Sequence, residues 1–377
     1  MAVLSKLDKI DPKLESNVSV EEPRIDAISL PETEQQKSMD QHALTFTEIP
    51  LDMVEYILKN LHPLEKFCCY EVSPGMRLTV EKSLRDPETL GIYLSDKSCV
   101  VYSDGKYCKY TMESGGCGYG YGTYGRKNKY GHYADHKIPF ERKKRIGFLQ
   151  NVKYEKAGLN VFLSVLTKHG NYLEKLTICV KDRFNPNKLI MSIDKKLISL
   201  NTSLSVERVD LFCMTPKQMM KIISHLKPTL LSGIQLRTNS GGEEDNETMK
   251  KIARTEQWRN ADSIRTYFPT SIPIRKYFHL QSFHFERNKM SVREIVNLRN
   301  SIFKHQHIEE VEVTIHDPTF DIGICRRALG PCILDPTDPE VGFYQGPNGF
   351  INVCMGRAVH GRIDISLIRW SELPVFQ

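Results

Sequence analysis

Apolar residues recur every three or four positions over residues 49–61 of the chain. That spacing places them on one face of a helix. Pro50 suits the first turn of such a helix, because its missing N–H would have no partner there, and His62-Pro63 ends it. The apolar positions of the predicted helix are Ile49, Met53, Val54, Ile57, Leu58 and Leu61.

Two further short amphipathic stretches follow at residues 64–72 and 76–84, separated by Ser73-Pro74-Gly75. The three predicted helices cover about forty residues, a unit too small to be very stable alone. We therefore expect this unit to pack against a partner or against the rest of the chain.

β-Forming residues at 91–112 flank Asp104-Gly105, a dipeptide typical of tight turns, and predict a β-hairpin. The Gly/Tyr-rich residues 114–136 predict a long flexible loop rather than a phosphate-binding loop, because no strand-to-helix context accompanies them. The basic run 141–145 is interpreted as the solvated part of a loop before a helix, in preference to a nuclear address or a nucleic-acid contact.

Helical and strand patterns alternate from about residue 147. Two helix starts carry clear caps, Thr215 followed by Pro216 and the Ser-x-x-Glu box of Ser291 and Glu294. Helices are predicted at 157–166, 190–200, 215–226, 246–261 and 290–305, and strands at 173–180, 206–214, 231–238, 263–268, 279–286 and 308–316.

Two folds are compatible with this alternation, an irregular leucine-rich-repeat-like α/β solenoid and a doubly wound α/β domain. The strands alternate apolar and polar residues, which implies one exposed face, whereas strands inside a doubly wound sheet are usually apolar throughout. No Gly-rich strand-to-helix turn marks a nucleotide site. We predict the solenoid, with the β-rich residues 321–377 and their second hairpin pattern as its C-terminal cap.

The composition of the chain indicates its cellular location and the state of its cysteines. No run approaches the roughly 18 apolar residues of a membrane helix, and the charged first residues are not a signal peptide, so a cytoplasmic or nuclear protein is expected. Its ten cysteines include no C-x-x-C pair. The nine-residue spacing of Cys99, Cys108 and Cys117 is weak evidence for a metal site, and reduced structural thiols are predicted instead.

Charge is distributed unevenly. Residues 1–41 contain five basic and nine acidic side chains, a net charge of −4, so the remainder carries +10. This excess favours an acidic partner without identifying one, and a nucleic acid is not expected. Residues 1–42 are polar without a sustained period and predict a disordered tail.

The first helical unit resembles the F-box, whose pattern is Leu-Pro, a helix, a leucine-containing turn, and Val-Ser/Cys-x-x-x-Arg. The matching residues are Ile49-Pro50, the Val54/Ile57/Leu58 stripe, Leu61, Leu64, and Val72-Ser73 followed by Arg77, with Met76 where Trp is usual. The later part resembles the FTH domain of the F-box A family expanded in nematodes. That resemblance is carried by Thr255–Ala261 with Ile264, and by the Phe283-x-Phe285 strand that leads into Met290–Phe303. Together the two cover roughly residues 44–316.

The resemblance implies a non-catalytic adaptor of a Skp–cullin–F-box ubiquitin ligase, without cofactors. An F-box at 43–86 would bind the Skp-type linker protein and through it a cullin scaffold. An FTH-like domain at 147–320 would recruit a protein substrate. The hairpin and loop at 87–146 connect the F-box to this domain, and the cap at 321–377 follows it. The residues then expected to bind the linker are Ile49, Pro50, Val54, Ile57, Leu58, Leu61, Leu64 and Val72.

Other interpretations stay open. The apolar face of the first helix could pack on the chain's own core, and Trp258 is expected in the core rather than at a partner. The scattered histidines show no triad-like spacing. The competing function classes are a protein-interaction repeat scaffold outside ubiquitin transfer, and a hydrolase or transferase whose site is assembled from distant residues.

Overall fold

A computed structural model gives the fold. It describes residues 50–61, 66, 87–124, 140–169, 172–181, 187–200, 203–238, 243–335, 338, 340–347, 349–357 and 362–371. The predicted tail at 1–42 lies outside these residues, as do the second and third predicted F-box helices apart from Lys66.

The first predicted helix is present as α1, Leu51–Asn60. Pro50 is the residue before the helix (φ −52°, ψ 141°), one position earlier than its predicted place in the first turn. Its carbonyl accepts the first helical hydrogen bond from the Val54 N–H at 3.1 Å. Leu61 is extended and ends the helix just before His62-Pro63, where helical backbone is disfavoured.

The predicted hairpin is confirmed and belongs to a three-stranded unit. β1 (Thr89–Leu94), β2 (Ser98–Ser103) and β3 (Lys106–Glu113) pair antiparallel in that order. Asp104 (φ 44°) and Gly105 (φ 84°) both have left-handed backbone, as the tight two-residue turn between β2 and β3 requires.

The Gly/Tyr-rich segment is not a flexible loop over its first part. Gly116–Tyr124 forms β4, which pairs with β3 and with β5 (Phe140–Gln150). Glycine is needed where backbones approach closely: a Cβ on Gly116 would lie 2.2 Å from the Leu149 carbonyl oxygen. The basic run 141–145 therefore lies in a strand at the edge of the sheet rather than in a loop, and residues 125–136 lie outside the described part of the chain.

The predicted helix–strand alternation is also present. Its elements are α2 (Tyr154–His169), β6 (Leu173–Val180), α3 (Asn187–Leu200), β7 (Val206–Phe212), α4 (Pro216–Ile223), β8 (Gly233–Arg237), α5 (Glu243–Ile252), α6 (Glu256–Asn260), β9 (Ser263–Pro269), β10 (Ser282–Arg287), α7 (Val292–Lys304) and β11 (Glu310–Ile315). The single helix predicted at 246–261 is in fact two. Thr255 separates them, because its hydroxyl accepts the Trp258 N–H at 3.3 Å and caps α6.

The C-terminal cap contains one helix that the sequence did not indicate, α8 (Ile322–Leu329). Strands β12 (Ile333–Leu334), β13 (Val341–Gly346), β14 (Gly349–Arg357) and β15 (Ile363–Trp370) follow. The predicted second hairpin is confirmed as β14 and β15, which pair antiparallel. β15 also pairs antiparallel with β11 and so joins the cap to the main sheet.

All the described strands form one mixed sheet, in the order β12-β13-β14-β15-β11-β10-β9-β8-β7-β6-β1-β2-β3-β4-β5. From β6 to β11 each strand lies parallel to the one before it. Each strand–helix unit is therefore placed on the same side of the preceding unit along the sheet. A doubly wound sheet would reverse direction at a switch point. The observed order therefore fits repeat-like stacking better than the doubly wound alternative.

The core lies between one face of this sheet and helices α2 to α8. Alternate strand residues such as Val311 and Val313 share a single buried cluster with helix residues such as Leu298 and Ile302. Because successive side chains of a strand point to opposite faces, the intervening residues of β9–β11 lie on the other face. Those intervening residues are mostly polar.

Candidate functional site

One face of helix α1 is buried in the molecule. Val54 and Leu58 are 6% and 1% exposed. Both were predicted to bind a partner, but their burial agrees with the alternative that this part of the stripe packs within the chain. A charged residue at Leu58 would therefore destabilise the fold directly.

A second face of α1 is apolar and exposed. Met53 is 55% exposed, Tyr56 72% and Ile57 41%. Their positions, with Asn60, follow helical spacing of three and four residues, so they share one side of the helix. Three large apolar side chains on a single helical turn form a patch that a partner can cover.

The predicted linker-binding residues thus divide into three groups. Ile57 and Pro50 are exposed and Leu61 is half-buried, whereas Val54 and Leu58 are buried. Ile49, Leu64 and Val72 lie outside the described residues. The exposed face also contains Met53, which belonged to the predicted stripe but was not counted as a contact, and Tyr56, which the stripe did not include. Helical spacing of four residues from Ile57 points to Met53, and spacing of three from Met53 points to Tyr56.

A second candidate surface lies on the face of β9, β10, β11 and β15 that is opposite the described helices α2 to α8. At its centre, the Arg265 guanidinium pairs with Glu310 at 3.1 Å and with Glu312 at 3.5 Å. The two carboxylates are 35% and 37% exposed at their side chains. We call this group the strand-face cluster; its members are Arg265, Tyr267, His284, Glu310, Glu312, Thr314 and Asp364.

His284 is the buried member of the strand-face cluster. Its ring lies 4.7 Å from the Tyr267 ring and is only 5% exposed. Burial lowers the pKa of His284 to about 4, with a further contribution from the Arg265 charge and an opposing one from Asp364. The imidazole is therefore neutral at pH 7.

The hydrogen bonds around His284 assign its tautomer. Thr314 Oγ1 lies 2.7 Å from an Asp364 carboxylate oxygen, which can only accept, so the hydroxyl donates to it. The same hydroxyl lies 3.3 Å from His284 Nε2 and must accept there. Nε2 therefore donates to Thr314, and Nδ1 is buried without a hydrogen-bond partner among the described residues, while an interaction of the ring with the Thr266 backbone raises the pKa of His284 in opposition to burial.

Neighbouring polar groups on this face are internally paired. The Glu286 carboxylate lies 2.7 Å from His316 Nε2. On β7, Asp210 is paired with Lys175 at 2.6 Å, and burial raises the pKa of Asp210 although the Lys175 charge opposes the change. His284 Nδ1 is thus an exception among groups that have found partners within the fold.

Trp258, which belongs to the most specific segment of the predicted FTH pattern, lies in the core as expected. It is fully buried, its Nε1–H donates to the Lys276 carbonyl at 3.1 Å, and its ring meets Tyr277 edge-to-face at 5.4 Å. Since its polar atom is satisfied inside the fold, Trp258 stabilises the domain rather than presenting a contact to a partner.

The three evenly spaced cysteines are core residues. Cys99, Cys108 and Cys117 are each no more than 1% exposed. Burial raises the pKa of Cys99 strongly and that of Cys117 to about 11, so both thiols are protonated at neutral pH. Within the described ranges, no group of three or more His, Cys, Asp or Glu side chains could hold a metal ion. None of the helices described is long and apolar enough to cross a membrane.

Comparison with protein families identifies a known domain in the central part of the chain. Residues 187–323 match the model of the FTH domain. The chain contains an FTH domain. The match begins at the first residue of α3 and ends inside α8, so the FTH domain includes β7–β11 and every member of the strand-face cluster except Asp364. Neither the curated proteins nor the solved structures contain a significant match to the chain.

Proposed function

We propose that this protein is a substrate-recognition adaptor of a Skp–cullin–F-box ubiquitin ligase, in which an F-box built around α1 docks the Skp-type linker and the FTH domain recruits a protein substrate. The observation that carries the proposal is the exposed apolar face of α1 upstream of the FTH match. FTH domains occur beside F-boxes in the family that the sequence resembles. The adaptor itself performs no chemistry, since other subunits of such a ligase transfer ubiquitin.

In this proposal the exposed apolar residues of α1 dock the linker. Met53, Tyr56 and Ile57 form the contact face, and Val54 and Leu58 hold the helix in place from below. Large side chains that leave water on binding dominate the affinity of protein interfaces. Ile57 is a β-branched apolar residue of this face that is exposed, so one substitution there should remove binding while the buried residues Val54 and Leu58 are unchanged.

The test is capture of the purified Skp-type linker protein by the full chain. Ile57→Asp is expected to reduce capture by tenfold or more, because it introduces an unpaired carboxylate into an apolar contact. Lys59→Asp is the matched control: it places the same carboxylate at an exposed position of α1, about 160° away on the opposite side of the helix. Equal urea midpoints for the three proteins confirm that folding is unchanged.

The outcomes separate the function classes. If the wild-type chain captures no linker, the adaptor proposal fails, and a protein-interaction scaffold outside ubiquitin transfer becomes the better hypothesis. If Ile57→Asp and Lys59→Asp capture linker equally well, the exposed face of α1 is not the docking surface. Loss of capture by Ile57→Asp alone supports the proposal.

A further inference from the structure

We infer that the segment 372–377 folds back onto an apolar patch on the outer face of the C-terminal strands β12–β15 and covers it with Leu373, Val375 and Phe376. We call this surface the cap patch; its members are Ile333, Phe343, Phe350, Ile368 and Trp370. Residues 372–377 lie outside the described part of the chain. The cap patch lies beyond the FTH match and beyond α1, so it is independent of the proposed function.

Strand pairing places the members of the cap patch on one face of the sheet, because residues that pair directly across neighbouring strands point the same way. The pairs are Ile333 with Phe343, Asn352 with both Phe343 and Ile368, and Phe350 with Trp370. Ile351 and Leu367, each one position away along its strand, belong to the buried core. The cap patch therefore faces away from the core.

The cap patch is apolar and open to solvent. Ile333, Ile368 and Trp370 are 48%, 37% and 39% exposed. The Trp370 ring meets the Phe343 ring edge-to-face, with centroids 6.2 Å apart, and Phe343 is buried. Large apolar side chains gathered on adjacent strands form the kind of surface that a further segment or a partner covers.

The chain that follows Trp370 starts at the cap patch. The pairing of β14 with β15 ends at Phe350 and Trp370, and Gly349 already belongs to the turn before β14. Ser371 lies against this turn, since a Cβ on Gly349 would be 3.5 Å from the Ser371 carbonyl oxygen. The segment 372–377 therefore leaves the sheet beside two aromatic members of the patch.

The length and composition of the segment fit the cap patch. Six extended residues span up to about 20 Å, whereas four adjacent strands are about 14 Å wide, so the segment is long enough to cross from β15 to β12. Pro374 has no N–H to donate to a sheet, which favours packing on its face over a further strand. Leu373, Val375 and Phe376 are apolar, and their burial on the patch removes both surfaces from water.

The experiment compares acrylamide quenching of tryptophan fluorescence in the full chain and in a chain that ends at Ser371. The chain has two tryptophans, and Trp258 is fully buried, so a difference in quenching reports on Trp370. Trp370→Phe supplies the signal of Trp258 alone. We expect the quenching constant of Trp370 to rise about twofold in the shortened chain, because a packed Phe376 covers much of the indole ring.

Phe376→Asp keeps the full length and should have the same effect as shortening. Gln377→Asp is the matched control, since it places the same charge at the next residue and should leave the quenching unchanged. Equal quenching constants for the full and shortened chains, or for Phe376→Asp and Gln377→Asp, would overturn the inference. Protection of Trp370 that persists in the shortened chain but falls on dilution would overturn it too, because a second copy of the chain would then cover the cap patch.

Discussion

Replacing His284 by Gln should reduce the loss in free energy of unfolding that occurs as the pH is lowered from 7 to 4. In the folded chain burial lowers the pKa of this imidazole to about 4, whereas in the unfolded chain it titrates near 6.5. Between these values the unfolded state binds a proton that the folded state does not, so the free energy of unfolding falls as the pH is lowered. At about 1.4 kcal/mol per pH unit, the loss reaches about 3 kcal/mol by pH 4.

Glutamine makes the comparison clean because it does not titrate and its amide can still donate to Thr314. The Arg265 and Asp364 charges, which act on the imidazole in opposite directions, are present in both proteins. Other acid-sensitive groups therefore contribute equally to the two profiles. The difference between them isolates the proton on residue 284.

The assay is urea unfolding followed by far-UV circular dichroism at a series of pH values from 4 to 8. His284→Gln should lose about 3 kcal/mol less than the wild type between pH 7 and pH 4. Between pH 7 and pH 8 the two profiles should run nearly parallel, since the imidazole is neutral in the folded state there and mostly neutral in the unfolded state. Parallel profiles across the whole range would show that His284 is not held neutral by the fold, and the tautomer argument for the strand-face cluster would fail with it.

Two further stability predictions follow from local geometry. Ser291→Ala should lower the free energy of unfolding by about 1 kcal/mol, because it removes the hydroxyl that accepts the Glu294 N–H at 3.3 Å, while Ser291→Asp should restore most of it; equal urea midpoints for Ala and Ser would contradict the capping role. Gly116→Ala should cost about 1–3 kcal/mol, since its Cβ would meet the fixed Leu149 carbonyl. Gly118→Ala is the comparison, because its Cβ would meet the flexible Glu113 carboxylate, and an equal loss from both would contradict the reasoning.

The sequence was most informative where a structural signal is contained in a few neighbouring residues. Thr215 caps its helix as predicted and in addition forms a capping box with Gln218, and Ser291 forms the predicted capping box with Glu294. Asp104-Gly105 makes the predicted turn. Each of these signals depends on backbone preferences and on hydrogen bonds that span three residues or fewer, so no knowledge of the rest of the fold is needed.

The missed strands depended on distant pairing. β4 is rich in Gly, which by itself predicts a loop, and it becomes a strand because β3 and β5 supply hydrogen bonds on both sides. The end of one helix and the start of the next at Thr255 could not be predicted for a different reason. Apolar residues on both sides of Thr255 follow the same helical spacing. Only the cap at the Trp258 N–H shows that two helices meet there.

Periodicity located the stripe on α1 but not the boundary between its buried and exposed halves. Val54, Ile57 and Leu58 fall within about 100° of one another on the helix, a width that one apolar face normally has. Burial of Leu58 at 1% and exposure of Ile57 at 41% reflect what lies above each side chain, which is set by tertiary packing. The docking test therefore belongs at Ile57, not at Leu58.

The net charge of the chain differs in sign from the local charge of the strand-face cluster. The chain beyond residue 41 carries +10, which favours acidic partners at long range, yet the strand-face cluster has the opposite sign. The two statements are compatible because salt screens charges beyond about 8 Å, so a bound side chain responds to the few groups within reach. Sheet pairing brings these groups together. Thr314 donates a hydrogen bond to Asp364, which is 50 residues away in the sequence, and Arg265 donates one to Glu310, which is 45 residues away.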